Sequence, residues 1–323
     1  MAARMIEGDI DGPIAWTRAS LAGGDGRVPL SEACVAELLG AVALLRANPL
    51  PVLALDPSDF DLPQCRQVMA GVQATLERGA GFAIVHRLPL ERMERTEAVA
   101  LFWLLSSLVA RPVAQKWDGT MVYDVRDTGR PPGNGVRPDV TNAEQSFHTD
   151  NSYNLCPPEH VGLLCLHPAR EGGVSRIVSL ASVHNEMRRR RPDLLARLYQ
   201  PFYFDRQREH APGDLMVTHH PVFETDGGRL LGRLSRYQVR NGQTLAGAAL
   251  DAQGEAALDE LDRTMDHPDL RMDFHFEAGQ MQFVNNRQIA HKRTGFRDWP
   301  EPERKRHLVR LWLRDRGRPF YNG

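Results

Sequence analysis

Cysteine is scarce in this chain, and its spacing excludes two common uses of the residue. The 323 residues include four cysteines, which form neither a C-x-x-C pair nor a dense framework: Cys34, Cys65, Cys156 and Cys165. A disulfide scaffold and a zinc site built from cysteines are therefore not expected. Free thiols suit a reducing compartment, so the sequence predicts a cytoplasmic protein.

Long apolar runs are also missing. Residues 1–12 carry acidic side chains and no apolar core, so they do not resemble a secretory signal. The longest apolar run, residues 98–110, is too short to cross a bilayer and indicates a buried helix. The protein is expected to be soluble and to act without a membrane.

The chain has no excess of either charge. Forty Lys and Arg residues oppose forty-one Asp and Glu residues, which gives a formal net charge of -1. No overall field then favours nucleic acid or an anionic membrane as a partner, and a small-molecule substrate is expected instead. A homo-oligomer is compatible with this composition, which does not specify the oligomeric state.

The hydrophobic pattern predicts a single domain over residues 1–323, with a mostly helical part at 1–80. Apolar spacing of three and four residues predicts helices over 31–48, 62–78, 90–110, 182–199 and 254–265. Alternating or β-branched segments predict strands over 81–86, 121–126, 161–166, 175–180, 271–276, 281–285 and 307–313. Residues 127–142 predict a loop and residues 202–242 an irregular stretch. Many short strands with outer helices favour a mainly β jelly roll packed against a helical layer.

Three side chains have the chemistry of a metal site. His148 and Asp150 are two positions apart, so on an extended chain both leave the same face. His291 offers a third ligand far downstream, beside a predicted strand. Two histidines and one carboxylate leave open positions on a metal, which suits an iron(II) that must bind a chelating cosubstrate and oxygen together.

Two other interpretations compete with this site. An H-x-D triplet arises often by chance, and most of the twelve histidines are expected to be ordinary polar or core residues. A rival cluster consists of His219, His220 and Glu224. Adjacent histidines on a strand point to opposite faces, so that trio is a poorer chelator and is interpreted as surface or pocket lining.

Four segments, taken together and in order, resemble the TauD/TfdA family of Fe(II)/2-oxoglutarate-dependent dioxygenases. The likeness extends from about Gly79 to Arg316 and rests on residues 147–152 (FHTDNS), 171–175 (EGGVS), 285–294 (NNRQIAHKRT) and 306–313 (RHLVRLWL). The resemblance implies a double-stranded β-helix, that is, a jelly-roll core. It also implies that His148, Asp150 and His291 hold Fe(II), with 2-oxoglutarate as cosubstrate and O2 as oxidant.

The resemblance also implies two residues for the distal carboxylate of 2-oxoglutarate. Ser175 stands where the family usually has threonine and keeps the hydroxyl, and Arg306 matches the family's carboxylate-binding arginine. Independently of the family, Arg306, Leu308 and Arg310 share one face of a strand. Burying two guanidinium groups inside a barrel costs free energy unless anions pair with them. A carboxylate can accept two parallel hydrogen bonds from one planar guanidinium group.

Substrate contacts are less well specified by the sequence. Arg310 resembles a residue that contacts an acidic group of the substrate in relatives, although it could equally face solvent or pair with an internal carboxylate. Other residues in pocket-lining segments of relatives are Gln115, Glu144, Asn151, Arg236 and Tyr237. Residues 202–242 are a predicted lid insertion, whose arginines suit an anionic substrate or form a solvated face.

The expected activity is oxidation, by default hydroxylation, of a small acidic organic molecule, with release of succinate and CO2. Two alternatives remain open from the sequence. One is a cupin-type metal-binding jelly-roll protein with a non-oxidative activity, which would need neither Arg306 nor Ser175. The other is a catalytically silent binding module, and fold alone does not separate these cases.

Overall fold

The computed structural model describes residues 5–21, 26–131 and 136–321 of the chain. Residues 132–135 of the predicted loop lie outside the described residues, and a 3-10 turn at Pro138–Val140 follows them. Among the helices described, none combines the length and apolarity needed to cross a membrane.

The helices begin at residues with recognisable start signals. The Ser31 side chain accepts a hydrogen bond from Cys34 N at the first helix, proline opens the second, and Glu94 and Glu97 form a reciprocal capping box at the third. The described helices are α1 (Glu32–Ala47), α2 (Pro63–Arg78), α3 (Arg95–Ser107), α4 (Leu180–Arg190), α5 (Pro192–Leu198), α6 (Arg236–Leu245) and α7 (Ala252–Met265).

The single helix predicted over residues 182–199 is wrong, because it is two helices. Helix α4 ends at Arg190 and α5 begins at Pro192. Proline disfavours a helical conformation in the residue before it, and Arg191 accordingly has φ -142° and ψ 64°.

Two sheets face each other across the core. The larger contains β1 (Arg27–Pro29), β2 (Phe82–His86), β3 (Pro112–Val113), β4 (Tyr123–Val125), β6 (His160–His167), β14 (Met281–Asn285) and β17 (His307–Leu313). The smaller contains β5 (Gln145–His148), β8 (Ser175–Ser179), β13 (Arg271–Phe274) and β15 (Ile289–Arg293). Except for β1 beside β2, all pairs in these two sheets are antiparallel.

Side-chain alternation divides the interior into two cores. On β17, Leu308 and Trp312 belong to the core between the sheets, whereas Val309, Leu311 and Leu313 pack with the helices α1 to α3. The strand period of two explains this division. The arrangement confirms the predicted fold class, a jelly roll packed against a helical layer, and it turns Arg310 towards the space between the sheets.

The irregular stretch predicted over residues 202–242 is wrong. Strand β9 (Pro201–Asp205) pairs with β10 (Val217–Pro221), β11 (Phe223–Asp226) pairs with β12 (Arg229–Gly232), and α6 follows. A further short pair joins β7 (Glu171–Gly172) to β16 (Phe296–Arg297). Regular pairing satisfies the backbone of this segment despite its high content of charged residues.

Candidate metal centre and its two cavities

The smaller sheet brings the two predicted histidine ligands together. His291 on β15 lies directly opposite His148 on β5, and their ring centroids are 4.3 Å apart. Asp150 follows β5, and its Oδ1 lies 3.4 Å from Nε2 of His148 and 3.6 Å from Nε2 of His291. The three ligand atoms lie within 4.8 Å of one another, and no second group of this kind occurs in the described parts of the chain.

A backbone hydrogen bond leaves Nε2 of His148 available to coordinate a metal. Its Nδ1 lies 2.9 Å from the Ser146 carbonyl oxygen, which only a protonated Nδ1 can satisfy. Nε2 then carries the lone pair, and the Gln145 amide nitrogen lies 3.0 Å from it. An imidazole held in this tautomer is ready to coordinate a metal through Nε2.

The Asp150 backbone is held by a neighbouring amide. Asn286, which is completely buried, accepts a hydrogen bond from Asp150 N at 2.7 Å and donates one to Asp150 O at 2.9 Å. A third bond joins Asn286 to the Pro158 carbonyl at 3.1 Å. Because β5 ends at His148, these bonds from Asn286 hold the backbone of Asp150 in place and so position its carboxylate.

Electrostatics favour an ionised Asp150 carboxylate and a neutral His291 imidazole at this centre. Burial alone would raise the pKa of Asp150, but the nearby Arg310 guanidinium and the imidazoles of His148 and His291 hold that pKa well below its usual value. Burial is the main cause that lowers the pKa of His291. One anionic and two neutral donors are the ligand set that suits a non-haem Fe(II) with open positions.

The rival cluster does not converge. His219 stacks on Tyr203 with ring centroids 4.2 Å apart. Glu224 forms ion pairs with Arg233, at 3.8 Å, and with Arg287. These contacts place the cluster's members in separate interactions, as the interpretation of surface or pocket lining expected.

An inner cavity of about 50 Å³ adjoins the three side chains and reaches the predicted cosubstrate residues. Its lining includes His148, His291, Ser175 and Arg306. Arg306 is 5% exposed, its Nη1 has no hydrogen-bond partner among the described residues, and burial lowers its pKa to about 10. A buried guanidinium without a partner is costly, so this end of the cavity fits a carboxylate ligand.

An outer cavity of about 380 Å³ opens on the other side of the centre. Besides His148 and Asp150, five of the six substrate residues named from the sequence line it: Glu144, Asn151, Arg236, Tyr237 and Arg310. Gln115 does not line this cavity, because it is buried behind Arg310. There its side-chain oxygen accepts a bond from Arg310 Nε at 2.8 Å, and its nitrogen donates to the Arg310 carbonyl at 2.7 Å.

Most charges at the outer cavity already have internal partners. Arg310 lies 3.3 Å from Asp150 and 3.4 Å from Asp139, so it pairs with internal carboxylates while it lines the cavity. Glu144 pairs with Lys292 at 2.9 Å. Arg236 contacts three acidic residues of α7, namely Glu255, Asp259 and Asp262.

Three residues of the site were not named from the sequence. Trp312 lines the outer cavity and donates to Asp150, Arg293 lines the inner cavity, and Arg137 pairs with Glu209 at 2.5 Å in the outer wall. Strand alternation was a usable signal for two of them. Trp312 is two residues after Arg310, and Arg293 is two residues after His291.

Comparison with known proteins gives a consistent family. Residues 46–312 match the family model described as taurine catabolism dioxygenase TauD, TfdA family. The chain is 27% identical over 326 residues to FR-33289 synthase from Streptomyces rubellomurinus, covering 98% of this chain and 94% of that protein. It is 25% identical to the taurine hydroxylase-like protein SAT17 from Stachybotrys chartarum, covering 95% and 80% respectively.

A solved structure shows the same fold. The crystal structure of asparagine oxygenase in complex with Fe(II), 2S,3S-3-hydroxyasparagine and succinate superposes with a TM-score of 0.67 at 17% identity. The superposition covers 90% of this chain and 94% of that one.

Proposed function

The chain belongs to the taurine catabolism dioxygenase TauD, TfdA family, and on that premise we propose that it hydroxylates a small acidic organic molecule in the outer cavity. It is a non-haem iron, 2-oxoglutarate-dependent oxygenase, and its cofactors are Fe(II), 2-oxoglutarate and O2. The observation that carries the proposal is the convergence of His148, Asp150 and His291 between two cavities, one of which contains an unpaired guanidinium.

Each predicted residue has a proposed task. His148, Asp150 and His291 would hold the iron, while Ser175 and Arg306 would bind the distal carboxylate of 2-oxoglutarate in the inner cavity. When bound, iron and 2-oxoglutarate supply the oxidising chemistry: with O2 they convert a substrate C–H into C–OH and leave succinate and CO2. The protein's own contribution is to orient the ligands and to exclude water from the buried centre.

The outer cavity is the proposed substrate site. Glu144, Asn151, Arg236 and Arg310 are the proposed contacts there, and Gln115 acts by holding Arg310 in place. Arg137 and Arg310 line this wall, each beside internal carboxylates. A guanidinium has five N–H donors, more than these ion pairs use, so the remaining donors suit an acidic group of a substrate. Residues 202–242 contribute Arg236 and Tyr237 to this wall and are the proposed lid.

The alternatives drawn from the sequence are not favoured. A non-oxidative metal-binding jelly roll has no need for an unpaired buried arginine beside its metal ligands, and here Arg306 is in that position. A catalytically silent module would have no need for three side chains whose ligand atoms are close enough to coordinate one metal ion. Formation of succinate distinguishes the oxygenase from both.

The test is a coupled screen. Anaerobic protein is mixed with Fe(II) and 2-oxoglutarate, exposed to oxygen, and supplied with amino acids, sulfonates, phosphonates and other acids, while succinate and oxidised product are measured. We expect one class of acid to stimulate succinate release together with an equal amount of product that has gained one oxygen atom. Succinate release that no acid stimulates, or stimulation confined to neutral compounds, would contradict the proposed substrate class.

A further inference from the structure

A second arginine lines the inner cavity beside Arg306. Arg293 ends β15 two residues after His291, so the two side chains leave the same face of the strand. In the neighbouring strand β8, Ser175 lies directly opposite Arg293. Arg293, Ser175 and Arg306 all line the inner cavity together with His291.

The two guanidinium groups share one environment. Arg293 is 7% exposed and Arg306 is 5% exposed, and they lie 4.8 Å and 5.1 Å from the centroid of the Phe296 ring. Arg293 Nε and Arg306 Nη1 have no hydrogen-bond partner, and neither residue forms an ion pair with a carboxylate of the described parts of the chain.

Two like charges buried beside one cavity require an anion. A charge removed from water is costly unless it is paired and hydrogen-bonded. A carboxylate offers two oxygens with about four acceptor positions, so one such group can serve two guanidinium groups and a serine hydroxyl. The inner cavity therefore has more donors than a single arginine and a serine would provide.

Arg293 also holds a loop of the substrate cavity. Its Nη2 donates to the carbonyl oxygens of Ala143 and, at 3.4 Å, Pro138. The segment between them, residues 138–143, includes Asp139 and leads into Glu144, which both line the outer cavity. Arg293 is thus in contact with the wall of the outer cavity and lines the inner one, while its buried Nε has no hydrogen-bond partner among the described residues.

Resting on the proposed function, we propose that Arg293 is a second cosubstrate-binding arginine, which meets the distal carboxylate of 2-oxoglutarate together with Arg306 and holds the 138–143 loop when that carboxylate is bound. The cosubstrate then prepares the substrate cavity before the substrate arrives. If only Arg306 and Ser175 bound the distal carboxylate, cosubstrate binding would not affect the 138–143 loop, because Arg293 is the residue that contacts it.

The test compares two keto acids on anaerobic Fe(II)-loaded protein by isothermal titration calorimetry. 2-Oxoglutarate has the distal carboxylate, and 2-oxobutyrate keeps the chelating end but lacks it. For Arg293→Gln we expect 2-oxoglutarate to bind at least about tenfold more weakly, the low end of what a charge-assisted hydrogen bond contributes. Affinity for 2-oxobutyrate should not change, whereas a purely structural role would weaken both ligands alike.

Controls separate this effect from misfolding. Arg197 is also 7% exposed and lies 4.1 Å from an aromatic centroid, that of Phe202, but outside both cavities, so Arg197→Gln should bind both keto acids like the wild type. Arg293→Lys retains the positive charge but lacks the planar guanidinium group with its paired N–H donors. Its affinity for 2-oxoglutarate should lie between those of the wild type and Arg293→Gln, and its affinity for 2-oxobutyrate should be unchanged. Equal affinity of wild type, Arg293→Gln and Arg293→Lys for 2-oxoglutarate would overturn the proposal.

Hydrogen exchange tests the connection to the loop. In the wild type, 2-oxoglutarate should slow amide exchange in residues 139–143, and 2-oxobutyrate should slow it less. In Arg293→Gln, saturating 2-oxoglutarate should leave the exchange of this loop unchanged. Slowing to the wild-type degree in the variant would disprove the link, whereas failure of the wild type to bind 2-oxoglutarate would instead contradict the proposed function.

Discussion

Trp312 donates a hydrogen bond from its indole Nε1 to Oδ2 of Asp150 at 2.7 Å. The second oxygen of that carboxylate, Oδ1, is the one that faces Nε2 of His148 and of His291. The tryptophan and Arg310, whose Nη1 lies 3.3 Å from the same Oδ2, together hold that oxygen and leave Oδ1 turned towards the proposed metal position. Partners that hold a ligand in this way are part of a metal site even though they do not touch the ion.

Trp312→Phe keeps the ring and removes this single donor. Arg310 is then the remaining partner of Oδ2, so Asp150 is held less firmly. We expect the affinity for Fe(II) to fall by about 10- to 100-fold, the range typical when a partner of a ligand is lost. Anaerobic titration of the variant with Fe(II) measures the change. The matched control is Trp299→Phe, because Trp299 stacks with Arg304 and lies outside both cavities. Equal affinities for wild type and Trp312→Phe would show that the bond has no influence on the metal.

The Ser175 hydroxyl is expected to bind the cosubstrate and not the metal. Ser175→Ala should weaken 2-oxoglutarate binding by about 0.5–1.5 kcal/mol, the usual net contribution of one hydrogen bond. Ser175→Thr retains the hydroxyl and should bind like the wild type. Calorimetric titration of the Fe(II) protein checks both variants, and a Thr variant as weak as the Ala variant would indicate that shape, and not the hydroxyl, matters here.

His184 should make the fold sensitive to acid. Its ring is completely buried, edge-on to Tyr199 and Phe223, and burial lowers its pKa from 6.5 to about 4. As the pH falls below 6.5, His184 becomes protonated in the unfolded chain, whereas in the folded chain it stays neutral until about pH 4. The free energy of unfolding therefore decreases between pH 6.5 and about pH 4. The loss is at most about 3.5 kcal/mol, since one pKa unit corresponds to about 1.4 kcal/mol.

Urea unfolding at several pH values tests this account of His184. His184→Phe keeps the aromatic packing and cannot be protonated, so its free energy of unfolding should fall less between pH 6.5 and pH 4 than that of the wild type. An identical decline in both proteins would assign the acid sensitivity to other groups.

The sequence predicted the parts of the fold that follow from strong local patterns. Helices α1, α2 and α7 and strands β14 and β17 agree with the apolar spacing of the chain to within two residues. The two-faced character of β17 was also predictable, because its alternate residues divide between two cores. The family resemblance, and not these patterns, identified the iron-binding chemistry.

The remaining features depend on long-range pairing. Strands β5 and β15 contain polar residues such as Gln145, His148 and Lys292, so nothing local marks them as buried strands. The hairpins formed by β9 to β12 were missed although local signals mark them: β9 is rich in aromatic residues, and Gly227-Gly228 forms the turn between β11 and β12. The roles of Trp312 and Arg293 depend on which strands face each other, which no short segment specifies.

The most direct measurement is Fe(II) binding by His291→Ala beside His219→Ala, each titrated anaerobically in the presence of 2-oxoglutarate while the visible charge-transfer band of the chelate is recorded. The account predicts that the wild type and His219→Ala bind one Fe(II) per chain and develop the band, whereas His291→Ala does neither while keeping its fold by circular dichroism. A full band in His291→Ala, or its loss in His219→Ala, would contradict the assignment of His148, Asp150 and His291 as the metal ligands.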